Sequence, residues 1–474
     1  MTVQAGEVMH GEQKHFDIAI LGGGPGGYPA AIRAAQLGKS VALIEHQELG
    51  GTCLNRGCIP SKTLIAGGEF LAHLKQATSF GIEIDTVAFH YAKLEQHKET
   101  TVKKMRKGLE ELIASNQIAL FRGFGKFSAP RTLKILGKDA SSISADKIIL
   151  ATGSEPKNFP AFPCDGIRIH DSTSLLNLTK LPSSIAIIGG GVIGVEFASL
   201  YNQLGVKVTL LELQPRIIPM EAQELSSLLA NAFVKRGIQV ETGVKIEKIS
   251  QTEKGVAAHI EGGRFFEAEC CLIAIGRTLN TKNIGLEHAG INTLENGMIP
   301  VNEKMETIAD GIYAVGDIAS KWWLAHVASH QGIIAAENAA GKTARMDYTA
   351  IPNVIFTHPE IGSVGLTLQE AIKKGYRAKA SAFPFTALGK SQALLQTEGF
   401  AQIIIEEKTG QILGAQVAGY QASTLIAEMT IAIANELTVA CIAQTMHAHP
   451  TLSEAWSETA FLAEGLPLHL PKRA

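Results

Sequence analysis

Charge imbalance, cysteine and uninterrupted apolar runs are all scarce in this chain of 474 residues, and each shortage excludes a class of protein. A formal net charge of -2 and a pI near 6.7 give no electrostatic case for a nucleic-acid partner. Six cysteines are too few for a disulfide scaffold and favour a reducing compartment, so we expect a cytoplasmic location.

Membrane and exported proteins are not indicated either. The apolar run at residues 184–200 is interrupted by four glycines and by Glu196, which argues against a membrane span. Residues 1–14 are polar and lack the apolar stretch of a secretory signal. The composition, with 46% hydrophobic and 19% charged residues, is that of a globular protein, long enough for about three domains.

The most informative pattern that is present is a repeat at an offset of 167 residues. Each copy has the order buried strand, glycine-rich turn, helix, second strand and acidic residue. These are residues 16–21, 22–27, onward to about 37, 41–44 and Glu45 in the first copy, and residues 184–188, 189–194, 195–204, 207–211 and Glu212 in the second.

Each part of this repeat has a role in binding a dinucleotide. The first glycine makes the turn, the second lets the backbone approach a pyrophosphate, and the third lets the helix pack on the strand. The helix N-terminus faces the pyrophosphate, and the acid accepts hydrogen bonds from a ribose. One such turn is weak evidence, but two in full context predict two nucleotide sites, at Gly22, Gly24, Gly27 and Glu45 and at Gly189, Gly191, Gly194 and Glu212.

Two cysteines, Cys53 and Cys58, follow the first copy. Positions five apart in an undistorted helix are about 8 Å apart along the axis, whereas a disulfide wants Cα atoms within about 7 Å. Glycines and Pro60 allow an irregular turn that closes this gap. We therefore predict a dithiol that opens and closes at a bent helix start, with the helix N-terminus and Lys62 favouring a thiolate. Two buried structural cysteines are the alternative; zinc would need a further ligand pair, and none is near in the sequence.

The position of the dithiol assigns the two nucleotide sites. A flavin can exchange electrons with a thiolate and with a nicotinamide, so the first site is predicted to take FAD and the second a nicotinamide. Glu212 favours NAD over NADP, because a carboxylate there repels a 2′-phosphate. Arg216 could indicate the opposite preference, but we interpret it as a solvated or loop-anchoring arginine.

Three further strand ends fit this organisation. Buried strands are predicted within residues 147–153, 271–277 and 311–317, the last returning to the FAD domain and placing Asp317 on the ribityl chain. Adjacent Cys270 and Cys271 should face opposite sides of a strand. We interpret both as packing residues, and Cys164 and Cys441 likewise.

The last segment, from about Ile351, has no glycine-rich loop. A helix predicted at about residues 423–435 is apolar almost all round and so needs a second covering surface, which a subunit interface would supply. Near the end, His449 is followed five residues later by Glu454, a spacing that allows the acid to orient the ring as a base. His447 is interpreted as an ordinary surface or core histidine.

Over about residues 16–467 the chain resembles the flavin-dependent pyridine nucleotide–disulfide oxidoreductases, most specifically at residues 50–62 and 447–454. The resemblance implies an α/β fold of two Rossmann-like, three-layer dinucleotide-binding domains and an α+β C-terminal dimerisation domain. The implied domains are residues 1–150 for FAD, 151–278 for NAD, 279–350 as a central segment returning to the FAD domain, and 351–474 as the interface.

The resemblance also implies roles for individual residues. Cys53 corresponds to the thiol that exchanges with substrate, and Cys58 to the thiol against the flavin. Lys62 and Glu196 correspond to an ion pair beside the isoalloxazine ring. His449 and Glu454 correspond to an acid–base pair that reaches the dithiol of the other subunit. The further implied cofactor contacts are Gly51, Thr52, Lys62, Thr152, Gly153, Gly276, Arg277, Asp317, Ala325 and His326. No metal site is expected.

Within the family, the resemblance is to the members that oxidise protein-bound dihydrolipoamide with NAD. These are homodimers that meet the lipoyl domain and acyltransferase core of 2-oxo acid dehydrogenase complexes. Val192 stands where glutathione reductase carries a tyrosine over the flavin, which fits this branch. The alternatives are a glutathione- or mercuric-reductase-like enzyme and a non-catalytic flavoprotein scaffold. Trp322–Trp323 and residues 1–15 are assigned no role.

Overall fold

The computed structural model describes residues 14–471. The prediction that the first 14 residues carry no secretory signal therefore falls almost entirely outside the described residues. No helix within residues 14–471 is both long and apolar enough to cross a membrane.

The described chain contains both strands and helices, with runs of consecutive strands at residues 119–170 and 239–314. The strands are β1 Lys14–Leu21, β2 Val41–Glu45, β3 Ala119–Arg122, β4 Phe124–Ala129, β5 Thr132–Leu136, β6 Ser141–Leu150, β7 Ser154–Pro156, β8 Ile169–His170, β9 Ser184–Ile188, β10 Lys207–Glu212, β11 Gln239–Thr242, β12 Ile246–Thr252, β13 Gly255–Ile260, β14 Phe265–Ala268, β15 Cys270–Ile273, β16 Arg277–Leu279, β17 Ile312–Ala314, β18 Asn353–Ile355, β19 Glu360–Gly365, β20 Ala378–Pro384, β21 Phe400–Glu406 and β22 Ile412–Gly419. The α-helices are α1 Gly27–Gln36, α2 Gly51–Arg56, α3 Cys58–Leu74, α4 Tyr91–Ser115, α5 Ser172–Leu175, α6 Val192–Gln203, α7 Gln223–Lys235, α8 Ala325–Ala339, α9 Leu368–Lys373, α10 Gly389–Leu394, α11 Ala422–Ala434, α12 Val439–Gln444 and α13 Glu454–Ala463.

The chain divides into two compact units. Of the described residues, the first unit takes those up to Thr63 together with Glu95–Lys157 and Gly276–Asp347, and the second takes Leu64–Leu94, Asn158–Ile275 and Tyr348 onward. The four-part division made from the sequence remains a prediction.

A seven-stranded sheet forms the centre of the first unit. β1 lies between β2 and β6 and is parallel to both, and every residue of β2 is buried, as expected for a parallel strand covered on both faces. β5 and β4 extend the sheet beyond β6 as an antiparallel edge. The late strand β17 pairs in parallel with β6, so this part of the chain returns to the first sheet.

The second unit contains two five-stranded sheets and a small antiparallel one. The parallel sheet has the order β11-β10-β9-β15-β8, which repeats the strand–helix–strand arrangement of the first unit around β9, α6 and β10. In β15, Cys270 packs in the cluster with Leu272, and Cys271 packs in the opposite cluster with Ile273, which confirms that the two cysteines face opposite sides. β12, β13 and β14 form the small sheet.

The C-terminal part of the second unit is an antiparallel sheet of order β18-β19-β22-β21-β20, packed by α11 and α13. The sequence interpretation of α11 needs correction here. Of its six apolar residues singled out from the sequence, only Ile431 is exposed, while Leu425, Ile426, Met429, Ala432 and Ile433 are buried within the unit. The helix is thus mostly covered by its own sheet and does not by itself demand a second surface.

Other elements follow the predictions closely, with differences at their ends. The helix of the second repeat begins at Val192 rather than at Val195, because the helical turn starts directly after Gly191. Cys441 was expected to pack in the core but is exposed, with its sulfur 3.4 Å from the Thr438 hydroxyl.

Candidate active site

The first glycine-rich turn joins β1 to α1. Gly22 has a φ of +106°, and a Cβ there would lie 2.3 Å from the carbonyl oxygen of Ala151. A Cβ on Gly27 would lie 1.8 Å from the carbonyl oxygen of Gly22. Only glycine fits at either position, and no side chain caps the start of α1, which leaves this end of the helix open to an anion.

Glu45 closes this turn at the end of β2. Its two carboxylate oxygens accept hydrogen bonds from the backbone N–H groups of Gly23, at 2.8 Å, and Gln47, at 2.7 Å. Burial would raise the pKa of Glu45, but bonds from His46 and from these two N–H groups lower it overall. The carboxylate is therefore held ionised and in a fixed orientation at the strand end, where a ribose diol would need an acceptor.

The second turn repeats this geometry. A Cβ on Gly189 would lie 2.4 Å from the carbonyl oxygen of Ala274, and one on Gly194 would lie 1.8 Å from the carbonyl oxygen of Gly189. Glu212 accepts hydrogen bonds from the backbone N–H groups of Gly190 and, at 2.7 Å, Gln214. The residues at both turns thus fit a dinucleotide, by a close-packed backbone and an oriented acid.

The two turns differ in what surrounds their middle glycine. Gly24 lies against Gly51, which has a φ of +58° and whose Cβ would lie 2.7 Å from the Gly24 Cα atom. Gly191, in the second turn, has nothing within 4 Å of the place where a Cβ would be. The first turn is therefore packed directly against the segment that carries the cysteines, whereas the second is open.

The two cysteines lie on consecutive short and long helices. Cys53 is in α2, and Cys58 is the first residue of α3, with Gly57 between the helices at φ -147° and ψ -107°. This break confirms the predicted bend at the dithiol. The side chain of Asn55 holds the bend by donating to the carbonyl oxygens of Leu49, at 2.9 Å, and Gly51, at 3.0 Å.

The side chains of Cys53 and Cys58 are hydrogen-bonded to each other. The hydrogen bond with Cys58 and then burial raise the pKa of Cys53, and Lys62 lowers it by less than these raise it. The expectation that Lys62 and the helix N-terminus favour a thiolate therefore needs correction for Cys53. A single negative charge shared by two adjacent sulfurs makes loss of the second proton costly, so the pair can hold one thiolate and one thiol.

A residue that the sequence did not indicate, Ser154, links several predicted cofactor contacts in the first unit. Its hydroxyl donates to the carboxylate of Asp317 and accepts from Arg277 Nε at 2.7 Å. Its carbonyl oxygen accepts from Arg277 Nη2, at 2.7 Å, and from the Thr52 hydroxyl, at 3.4 Å. Ser154 is 4% exposed, so these bonds are shielded from water.

Asp317 itself follows β17, in the short helical turn Gly316–Ile318. Burial raises the pKa of Asp317, although the bond from Ser154 and the charge of Arg277 act in the opposite direction. A buried carboxyl with an oriented neighbour is suited to a polar group of a cofactor chain. Nearby, Thr152 and Asn280 exchange two hydrogen bonds, of 2.7 and 3.0 Å, which join the ends of the segments around Gly153 and Gly276.

The remaining predicted contacts are placed on helices. Ala325 and His326 begin α8, and Lys62 lies in the second turn of α3. Glu196 lies in α6 and is 8% exposed, and one of its oxygens accepts from the Phe356 N–H at 3.0 Å. The pairing of Lys62 with Glu196 stays a prediction.

The predicted acid–base pair is formed within the second unit. His449 Nδ1 is 2.8 Å from Glu454 Oε1, and the other oxygen of Glu454 accepts from the Thr451 N–H at 2.8 Å. Burial would raise the pKa of Glu454, but the bonds from Thr451 and His449 lower it overall. The ionised carboxylate thus accepts from Nδ1–H and leaves Nε2 of the ring, 78% exposed, free to take a proton.

Arg216 does not extend into the second nucleotide site. Its guanidinium donates to the carbonyl oxygens of Glu221 and Pro219, each at 2.7 Å. This confirms that it anchors a loop.

Comparison with known proteins agrees with this geometry. The chain matches the pyridine nucleotide-disulphide oxidoreductase family over residues 16–332 and the dimerisation domain of that family over residues 351–460. It is 50% identical over 461 residues to a dihydrolipoyl dehydrogenase of Chlamydia pneumoniae, covering 97% of this chain and 100% of that one. It is 40% identical over 470 residues to one of Bacillus subtilis, covering 96% and 99%.

Solved structures are similar over nearly the whole chain. LpdA from Mycobacterium tuberculosis matches with a TM-score of 0.89 at 30% identity, covering 94% of this chain and 99% of that one. The HOCl-induced flavoprotein disulfide reductase RclA from Escherichia coli matches with a TM-score of 0.85 at 28% identity, covering 94% and 99%. These matches confirm the predicted fold class and the cofactors FAD and NAD. The chain belongs to the pyridine nucleotide-disulphide oxidoreductase family.

Proposed function

We propose that the protein is a dihydrolipoyl dehydrogenase, which oxidises protein-bound dihydrolipoamide to lipoamide and reduces NAD. The observation that carries this proposal is the hydrogen-bonded pair Cys53 and Cys58, held on either side of a helix break, in a segment whose start at Gly51 packs against the first dinucleotide turn. The identity of 50% to the Chlamydia pneumoniae dihydrolipoyl dehydrogenase supports the choice of substrate.

The cysteines perform the sulfur chemistry by exchange. In the oxidised enzyme Cys53 and Cys58 form a disulfide, and a substrate thiolate attacks the Cys53 sulfur, so that Cys58 leaves as a thiolate. The second thiolate of the substrate then attacks the substrate sulfur that is bonded to Cys53. The Cys53 sulfur leaves, so that lipoamide is released and Cys53 is reduced. FAD, when bound, accepts the electron pair of the dithiol and passes it to NAD. The raised pKa of Cys53 fits this assignment, because a protonated Cys53 thiol is the product of the second exchange.

His449 supplies the acid–base step. Each attacking substrate thiol must lose a proton, and the exposed Nε2 of His449 accepts it while Glu454 stabilises the imidazolium through Nδ1. The reverse reaction uses the same ring as an acid.

Cofactor selection follows from the two turns. Gly22, Gly24, Gly27 and Glu45 hold the FAD pyrophosphate and ribose, with Ser154, Arg277 and Asp317 positioned for its central chain. Glu212 selects NAD, because a 2′-phosphate would bring negative charge against a carboxylate already oriented by two N–H groups.

The proposal includes a homodimer in which His449 and Glu454 complete the dithiol site of the partner subunit, and a lipoyl domain on an acyltransferase core as substrate. The matched dimerisation domain supports the dimer. Subunit mixing tests the shared site: Cys53→Ala and His449→Ala chains, each nearly inactive alone, should recover activity towards a quarter of wild type when refolded together. Mixed dimers that form and stay inactive would contradict it. We place the enzyme in the cytoplasm, since its low cysteine content favours a reducing compartment.

The rival is a reductase of the same family working on glutathione disulfide with NADPH. The decisive assay compares NAD reduction by dihydrolipoamide with NADPH oxidation by glutathione disulfide, at matched enzyme concentration. The proposal predicts turnover in the first assay and background in the second. The opposite pattern would replace it with the reductase, and no turnover in either would leave a scaffold subunit.

A further inference from the structure

The first histidine of the His-Ala-His segment, His447, is hydrogen-bonded at both ring nitrogens. Nε2 is 2.8 Å from a carboxylate oxygen of Glu428, and Nδ1 is 2.9 Å from the carbonyl oxygen of Thr445. Its side chain is 8% exposed, and that of Glu428 is 34% exposed. From the sequence, His447 was interpreted as an ordinary surface or core histidine. This pair was not anticipated, because Glu428 lies in α11 and His447 lies in a separate loop.

The pair joins helix α11 to the loop that follows α12. Glu428 lies in the middle of α11, whereas His447 lies in the loop of residues 445–453 between α12 and α13. The same loop carries His449, and α13 begins with Glu454. A second bond joins α13 itself to α11, from Trp456 Nε1 to the Leu425 carbonyl oxygen at 3.0 Å.

The catalytic ring takes its position from the loop that carries it. The described side-chain bond of His449 goes to Glu454, further along the same segment. That bond sets the direction of the ring only where the backbone of the loop has a fixed point. Two residues earlier, the ring of His447 provides that fixed point.

The bonding of His447 is specific rather than incidental. Both ring nitrogens face acceptor oxygens, the carboxylate of Glu428 on one side and the Thr445 carbonyl on the other. The flat ring of a histidine can face two acceptors in opposite directions. An amide or an aliphatic side chain at this position cannot. Loss of either acceptor leaves a buried polar group of the ring without its partner.

We propose that His447 and Glu428 form a positioning pair, which fixes the loop so that His449 is held where it can exchange a proton with the substrate thiol. The inference rests on the proposed dihydrolipoamide activity. His447 does not touch the substrate and acts through His449.

The test compares His447→Gln, Glu428→Ala and Glu428→Gln with wild type in two assays of the assembled flavoenzyme. In NAD reduction by dihydrolipoamide, kcat should fall about 10- to 100-fold in the first two variants, as expected for a displaced proton acceptor. Glu428→Gln keeps an acceptor oxygen for Nε2–H and should retain most of the rate. In NADH oxidation by a small quinone, which bypasses the dithiol and His449, all three should equal wild type.

A matched control is Glu398→Ala, which removes an ion pair with Arg236 in the same unit but touches no residue of the 445–453 loop. Its exposed fraction, 32%, is close to that of Glu428, and it should leave both assays unchanged. The double variant His447→Gln/His449→Gln should be no slower with dihydrolipoamide than His449→Gln alone, since the first residue acts through the second.

Four results would overturn the inference. They are an unchanged dihydrolipoamide rate in His447→Gln, an equal loss in both assays, an equal loss in Glu398→Ala, and additive losses in the double variant. If the wild-type enzyme itself fails to oxidise dihydrolipoamide while oxidising NADH, the proposed function fails instead, which keeps the two claims distinct.

Discussion

The two dinucleotide turns of this chain have the same backbone but different surroundings. In both, the first glycine is at a positive φ against a carbonyl oxygen, the third glycine packs on the first, and an acid takes two backbone N–H bonds. At the first turn, however, Gly24 lies against Gly51 of the cysteine segment, whereas Gly191 of the second turn is in open space.

This difference fits the proposed assignment of FAD to the first turn and NAD to the second. In that assignment the FAD turn packs against the start of the helix that carries Cys53, which keeps the tightly bound cofactor and the dithiol in one compact region. A cofactor that enters and leaves in each cycle needs an accessible turn. The fold therefore separates the two roles by what packs on the turn and not by the turn itself.

The largest effect should come from replacing one or the other of the two cysteines in the segment beside the first turn. Cys53→Ser should lose dihydrolipoamide oxidation, by more than about 10³-fold, yet keep a long-wavelength absorbance band on partial reduction, since Cys58 is the thiol assigned to contact the flavin. Cys58→Ser should lose both the activity and the band. Spectra of anaerobic, partly reduced enzyme measure this.

Cys441→Ser, at an exposed cysteine, is the control and should change neither property. A band that survives in Cys58→Ser and disappears in Cys53→Ser would reverse the assignment.

Alanine at the glycines that distinguish the turns should separate the two cofactors. In Gly51→Ala the left-handed backbone costs about 1–2 kcal/mol, and the new Cβ meets the Gly24 backbone at 2.7 Å, so purified protein should contain much less flavin. Gly191→Ala should bind flavin fully, because nothing lies within 4 Å, but its KM for NADH should rise as the methyl group takes the space of the pyrophosphate. Flavin loss in Gly191→Ala, or full flavin in Gly51→Ala, would contradict the comparison.

Removing each acid should weaken a different cofactor. Glu212→Ala should reduce the preference for NAD over NADP by about 10- to 100-fold, the range expected for a charge-assisted hydrogen bond. Glu45→Ala should weaken flavin retention and leave that preference unchanged. The ratio of kcat/KM values for the two nucleotides measures the first effect, and flavin release on dilution measures the second.

Arg216→Ala serves as the control for nucleotide choice. Its guanidinium bonds to the loop carbonyl oxygens of Glu221 and Pro219, so the ratio should stay at the wild-type value. A lower rate with NADP alone would show that Arg216 contacts the 2′-phosphate after all.

The smallest expected effect is a dependence on pH at the first turn. The pKa of Glu45 is lowered in the folded protein, so its ionised form contributes stability above pH 4.5, the ordinary pKa of a glutamate. That contribution is lost as the pH falls below 4.5 and through the lowered pKa. Urea unfolding at stepwise lower pH should show a decline in the wild type that is shallower in Glu45→Gln. Identical slopes in the two proteins would contradict the role given to the carboxylate.

Most of the fold followed from local patterns in the sequence. The strand–turn–helix–strand–acid order at Gly22–Glu45 and Gly189–Glu212 is encoded within short segments, so both sheets and both acids could be predicted. The bend at Gly57 was predictable for the same reason, because the spacing of Cys53 and Cys58 required it.

The parts that were missed depend on contacts between distant positions. Ser154 gained its role from Asp317, 163 residues later, and His447 gained its role from Glu428, on another helix. The pKa of Cys53 depends on the orientation of a neighbouring sulfur, which no spacing reveals. One signal was available: Ser154 directly follows the predicted Thr152–Gly153 strand end, where a buried hydroxyl needs partners.

The central claim is that sulfur chemistry enters at the first turn and nicotinamide at the second. Rapid mixing of oxidised enzyme with dihydrolipoamide, in the absence of NAD, tests it most directly through the loss of flavin absorbance. Wild type and Gly191→Ala should lose absorbance at the same rate, and Cys53→Ala should not respond, although NADH should still bleach it. Two results would contradict the account. One is bleaching of Cys53→Ala by dihydrolipoamide at the wild-type rate, and the other is a loss of response in Gly191→Ala as large as that in Cys53→Ala.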